Sequence, residues 1–209
     1  MDGLRALGLG VVCGLLSCMG ITAQAANLVQ VPAPTADGAF NVVLMAWDSR
    51  ALPDPAELVW GISQVRVSGR GPGIVKGSFD YALKRLSGDH RRTGTLSLYY
   101  ISKRSATEIH TAGAALAVGF LAVMRGHTVK PGIALTGTVE PDGSIGAVSE
   151  IRELIKTADR EGYSTVLVPA GQRYDPRWTI STHHMTSRVT VQEVGSIEEA
   201  YFLMTGQHL

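Results

Sequence analysis

The chain has 209 residues, 45% of them hydrophobic, with a formal net charge of +1. That balance gives no electrostatic drive toward nucleic acid, and the length beyond a leader suits one domain. Both cysteines, Cys13 and Cys18, fall within residues 1–25, so the rest of the sequence offers no disulfide and no thiol for catalysis.

Residues 1–25 read as a signal peptide. An apolar run from Ala6 to Ile21 precedes Ala23-Gln24-Ala25, a small-x-small cleavage site. An uncleaved membrane anchor and lipidation at Cys18 are the alternatives. Residues 26–39 contain Pro32, Pro34, Asp37 and Gly38 and read as a linker, so that the folded domain is expected over 40–209. Within it, Phe40 to Trp47 and Leu58 to Val67 carry strand patterns. The glycine-rich Gly69 to Gly73 fails the spacing of a phosphate loop and reads as a turn. Ser78 is expected to cap a short helix with Phe79, Ala82, Leu83 and Leu86. Gly94 to Ile101 is a further strand.

From about Ala112 to Arg125 the sequence is apolar nearly all round, which predicts a buried central helix closed by Gly126. Ile133 to Val139 and Ser144 to Val148 predict a hairpin around Glu140-Pro141-Asp142-Gly143. A helix from about Ser149 to Arg160 ends at Gly162, and strands follow at 164–169 and 188–194. Ser196 and Glu199 form a capping box for the last helix. This mixture predicts an α+β domain.

The stretch Thr107 to Pro169 resembles the proteolytic domain of Lon-type peptidases, the Ser-Lys S16 family. The landmarks are Thr111-Ala112-Gly113, Leu135-Thr136-Gly137, Gly143-Ser144-Ile145-Gly146 and the Thr165 to Pro169 strand. The resemblance implies a fold like ribosomal protein S5 domain 2, with a buried helix and mixed strands. It also implies a homo-oligomer and unfolded or extended polypeptide as a possible ligand; no cofactor and no metal are expected. The family's ATPase module has no counterpart here, so no role for ATP is expected. Thr111 occupies the position of the family's serine nucleophile. A gapless count through Thr136-Gly137 and Gly143 puts the family's lysine position on Leu154. Thr136 matches a threonine that contacts that lysine, and Glu108 falls where the family has an acid.

Leucine cannot act as a base. Ile151, Leu154, Ile155 and Ala158 share one helical face, whereas Arg152 and Lys156 lie roughly 200° away from Leu154. Leu154 is thus expected to be buried toward the Thr111 region, with Lys156 in solvent. Thr111 retains a hydroxyl but has no N-terminal amine to activate it, and the plainer expectation is that it caps the central helix. His110 points apart from its neighbour and reads as a loop histidine. For Glu108 the alternative is a solvated carboxylate, and for Thr136 a strand threonine with a local hydrogen bond. His183-His184 lacks the acids or thiols that would complete a metal site. Tyr174, Pro176 and Trp178 read either as a surface loop or as a polypeptide contact. Three functions follow: a degenerate, exported peptidase-like domain that binds polypeptide or acts as a scaffold, an active endopeptidase using Thr111 with a non-standard base, or an unrelated activity on the same architecture.

Overall fold

The computed structural model describes residues 27–48, 57–62, 65–68, 73–87, 95–100, 111–149, 151–173 and 188–209. Residues 1–26, with the expected signal peptide, and Glu108, His110, Tyr174, Pro176, Trp178 and the His183-His184 pair lie outside the described residues. In sequence order the elements are β1 (Asn27–Pro34), β2 (Phe40–Asp48), β3 (Glu57–Ile62), β4 (Val65–Ser68), α1 (Gly73–Ser87), β5 (Thr95–Tyr100), α2 (Gly113–Arg125), β6 (Ile133–Leu135), β7 (Thr138–Val139), β8 (Ile145–Gly146), α3 (Ile151–Glu161), β9 (Thr165–Pro169), β10 (Thr190–Val194) and α4 (Ile197–Thr205). This is the expected α+β class.

Five strands form one sheet in the order β1-β2-β5-β3-β4, and three form a second in the order β10-β9-β6. In the first, β3 runs parallel to β5 while β1, β2 and β4 pair antiparallel with their neighbours. The second is parallel throughout. The helix α2 lies against the first sheet with Gly113 through Met124 all buried. Each large apolar side chain so buried contributes about 1.5–3 kcal/mol, so this helix and its neighbours form the main core. Gly119 permits the contact. A Cβ there would sit 2.6 Å from the Met45 sulfur and 2.7 Å from Val31 Cγ2. Gly126 ends the helix in the left-handed region at φ 73°, as expected.

A second apolar cluster gathers Phe40, Ala134, Ile151, Leu154, Ile155, Ala158, Val166, Val168 and Val189 between α3 and the parallel sheet. The helical phase expected for α3 is the one observed. The capping of α4 also follows the sequence: Ser196 Oγ accepts from the Glu199 N–H at 3.2 Å, and the Glu199 carboxylate accepts from the Gly195 N–H at 2.9 Å.

Four expectations need correction. The supposed linker 26–39 contains strand β1, because Val29, Val31 and Ala33 alternate inward onto α2. Its prolines are tolerated because β1 pairs on one side only within its sheet. The run Leu58 to Val67 is two antiparallel strands, with Ile62 opposite Val65. Ser78 caps nothing. It lies buried inside α1, which begins at Gly73. Finally, Ile133 to Val139 is not one strand. It breaks at Thr136-Gly137, with β6 entering the parallel sheet and β7 pairing only with β8. Gly137 adopts φ 139°, in the region that favours glycine, and this lets the backbone leave one sheet for the other.

Candidate functional site

The break at Thr136-Gly137 and the start of α2 are joined by backbone hydrogen bonds. The Gly137 N–H donates to the Thr111 carbonyl at 2.9 Å, and the Ala114 N–H donates to the Gly137 carbonyl at 2.9 Å. The Thr136 hydroxyl also donates to the Thr111 carbonyl, at 3.3 Å. Thr136 is 1% exposed. The structure therefore brings Thr111 and Thr136 together, through the Thr111 backbone. On the other side, the Ser78 hydroxyl reaches the Gly113 carbonyl at 2.9 Å and ties α1 to the same helix start. A Cβ on Gly113 would come within 2.9 Å of Ile74 Cδ1 and 3.2 Å of the Val139 nitrogen, so the helix start is enclosed by α1 and β7.

Thr111 does not cap α2. Ala112 occupies the N-cap position and makes no side-chain cap hydrogen bond. The Thr111 hydroxyl instead donates to the Pro34 carbonyl at 3.3 Å, across 77 residues of sequence. A local capping rule cannot anticipate that partner. A carbonyl oxygen accepts the hydroxyl proton but has no basicity with which to remove it.

Leu154 is 3% exposed and belongs to the Phe40 cluster. Phe40 pairs with Pro34 in the β1–β2 ladder, so Leu154 and Thr111 both adjoin the same end of that ladder. The turn between these strands also presses on α3. Gly38, at φ 76°, comes so near that a Cβ would lie 2.7 Å from Glu153 Cβ and 3.1 Å from the Leu154 nitrogen. Lys156 points elsewhere. Its ammonium donates to the Glu153 carboxylate at 2.7 Å with the side chain 38% exposed. That hydrogen bond holds the Glu153 carboxyl below its ordinary value. Arg152 is exposed. Burial, reinforced by Glu161, pushes the Tyr163 hydroxyl up to about 12, and its ring packs 4.8 Å from that of Phe40. The position 154 environment is thus apolar, with a neutral phenol beside it.

A cleft of about 440 Å³ lies between α1 and the β7–β8 turn, lined by Tyr81, Lys84, Arg85, Pro141, Asp142 and Glu198. Arg85 pairs with Glu198 at 3.0 Å. Hydrogen bonds from the Ser144 N–H and hydroxyl hold the Asp142 carboxyl below the usual range. Burial, and then Glu198, raise the Tyr81 hydroxyl. Cations and anions are mixed here, and Thr111, Thr136 and Leu154 are not in the lining. Among the described residues no three His, Cys, Asp or Glu side chains gather in a way that could hold a metal ion. Among the same residues no helix is long and apolar enough to cross a membrane.

The site thus consists of a central buried helix, a loop stitched to a broken strand, and a second helix that carries Leu154. Residues 107–201 match the family model of the Lon protease (S16) C-terminal proteolytic domain. The Lon-type resemblance carried by the sequence landmarks is thereby shown for that stretch, and the match continues beyond Pro169 through β10 into α4. Two participants gave no warning in the sequence. Pro34 acts through a backbone carbonyl, and Ser78 follows the pattern of a helix cap while serving as a buried tie.

Proposed function

We propose that this is an exported, catalytically silent Lon-type domain that binds extended polypeptide or serves as a scaffold. The observation that carries this reading is Leu154, 3% exposed among Phe40, Ala134, Ile155, Val166 and Val168, where the family resemblance calls for a lysine. The Thr111 hydroxyl, donated to the Pro34 carbonyl, supports it further. A threonine hydroxyl needs a positioned base to attack a peptide, and the loss of such proton transfer alone costs on the order of a hundredfold to ten-thousandfold in rate.

Purified protein without residues 1–25 should leave a fluorescein-labelled unfolded polypeptide uncleaved, with or without ATP, and Thr111→Ala should behave the same. Cleavage by the wild type that disappears in Thr111→Ala would make Thr111 a nucleophile and end the silent reading. Cleavage only by a folded Thr111→Ser, Leu154→Lys double variant would show that the substrate groove survived and the chemistry alone was lost.

Export rests on the apolar run and the Ala23-Gln24-Ala25 site. Intact-mass measurement of the protein from its native compartment should find a polypeptide beginning at Ala26. A polypeptide beginning at Met1 in the cytosol would refute export.

A further inference from the structure

The cleft between α1 and the β7–β8 turn continues into a second cavity of about 270 Å³. The two share Tyr81, Lys84 and Pro141, and the second adds Gly77, Asp80, Val139 and Glu140, so together they make one groove. Its floor is a single face of α1, because Gly77, Tyr81, Lys84 and Arg85 follow the helical repeat. From Gly77 to Arg85 the helix rises about 12 Å. The turn supplies the opposite wall, and Tyr81 is wedged against it: a Cβ on Gly143 would come within 2.6 Å of the Tyr81 hydroxyl. Gly77 is exposed, and a Cβ there would meet nothing within 4 Å. A glycine inside a helix weakens it, and no packing contact requires this one. Its missing side chain keeps the groove open.

The charges along the groove are unevenly matched. Lys76 pairs with Asp80, and Arg85 with Glu198. Lys84, common to both cavities, has no ion-pair partner among the described residues. Across from it, Glu140 accepts only the Thr138 hydroxyl, at 3.0 Å, and the Asp142 carboxylate accepts only from Ser144. One cation therefore faces two carboxylates, with the Tyr81 ring, Pro141 and Val139 between them. We propose that this groove binds a short zwitterionic peptide of dipeptide size, its carboxylate at Lys84 and its α-ammonium at Asp142 and Glu140. An ammonium has three N–H donors, enough for two carboxylates. An extended dipeptide spans about 7 Å and fits within the length of the floor. A polyanion would be repelled by Glu140, Asp142 and Glu198, and a simple cation by Lys84. The inference goes beyond the silent-domain reading and does not depend on it, since Thr111, Thr136 and Leu154 do not line the groove.

The test titrates the protein with alanyl-leucine and follows backbone amide NMR signals. Saturable shifts are expected at Gly77, Tyr81, Lys84 and Asp142, with a Kd on the order of 1 mM. The N-acetylated dipeptide and the dipeptide amide, each lacking one terminal charge, should bind about tenfold more weakly, the effect of one lost charged contact. Lys84→Gln and Asp142→Asn should weaken the unblocked dipeptide to a similar degree. Asparagine keeps an oxygen for Ser144 to bond. Gly77→Leu fills the groove from an open position. It should melt no lower than wild type, because leucine favours a helix more than glycine does, and it should abolish the shifts. If Gly77→Leu does not fold, the exposed Lys84→Gln carries the comparison. The absence of saturable shifts in the wild type would overturn the inference. Equal binding of the blocked dipeptides would refute the charge matching on which it stands, and wild-type binding by a folded Gly77→Leu would place the ligand elsewhere and refute it too.

Discussion

Leu154→Lys should be among the most damaging single substitutions in the described core, lowering stability at pH 7 by on the order of 5 kcal/mol. The new ammonium would enter an apolar cluster of Phe40, Ala134, Ile155, Val166 and Val168. Burial disfavours the charged form, so the lysine would titrate far below its unfolded value in the folded protein. Between the two pKa values the unfolded state binds more protons than the folded one, so stability rises with pH. Urea melts at pH 7 and pH 9.5 should show the deficit shrinking at the higher pH. Leu154→Met, which conserves volume and polarity, should cost less than about 1.5 kcal/mol. A lysine variant as stable as wild type at pH 7 would mean that position 154 has a polar partner, and would reopen the case for an active site.

Gly137→Ala should cost about 2–6 kcal/mol, from two sources. A non-glycine residue at an unfavoured backbone angle costs about 1–3 kcal/mol, and φ here is 139°. The added Cβ would also sit 2.3 Å from Ile145 Cγ2, on a branched residue that cannot swing clear at its own Cβ, and overpacking adds about 1–3 kcal/mol. Gly162→Ala is the matched control. It shares a positive φ, 82°, but has nothing within 4 Å of the added atom, so only the backbone contribution of roughly 1–2 kcal/mol remains. Denaturant midpoints of the two variants should differ clearly. Equal midpoints would show that the sheet change at Gly137 can relax.

These two positions also mark what was legible in the sequence. Leu154 was, because a helix repeats every 3.6 residues and the phase of Ile151, Ile155 and Ala158 fixes its side. The burial of α2 was legible for a similar reason, since an all-apolar helix has no face to give to water. The break at Gly137 was not, because Ile133 to Val139 keeps strand-like composition on both sides of it. Strand β1 was hidden by Pro32 and Pro34, which resemble a linker until the inward alternation of Val29, Val31 and Ala33 is seen against α2. The site divided along the same line. Family spacing placed Thr111, Thr136 and Leu154, and the structure joins Thr111 to Thr136 directly. The Pro34 contact could not be read, since a backbone acceptor 77 residues away leaves no mark on side-chain chemistry.

The order of elements along the sequence has a consequence for synthesis. The five strands between Asn27 and Tyr100 make one sheet, yet the helix that covers its inner face runs from Gly113 to Arg125. A ribosome emitting this protein releases Val29, Val31, Val43, Met45, Trp47, Leu96 and Leu98 before their cover exists. For that interval the nascent polypeptide presents an adhesive apolar sheet face, which favours aggregation. A holding chaperone, or passage through a translocase before the sheet can form, would shield it until Arg125 has emerged.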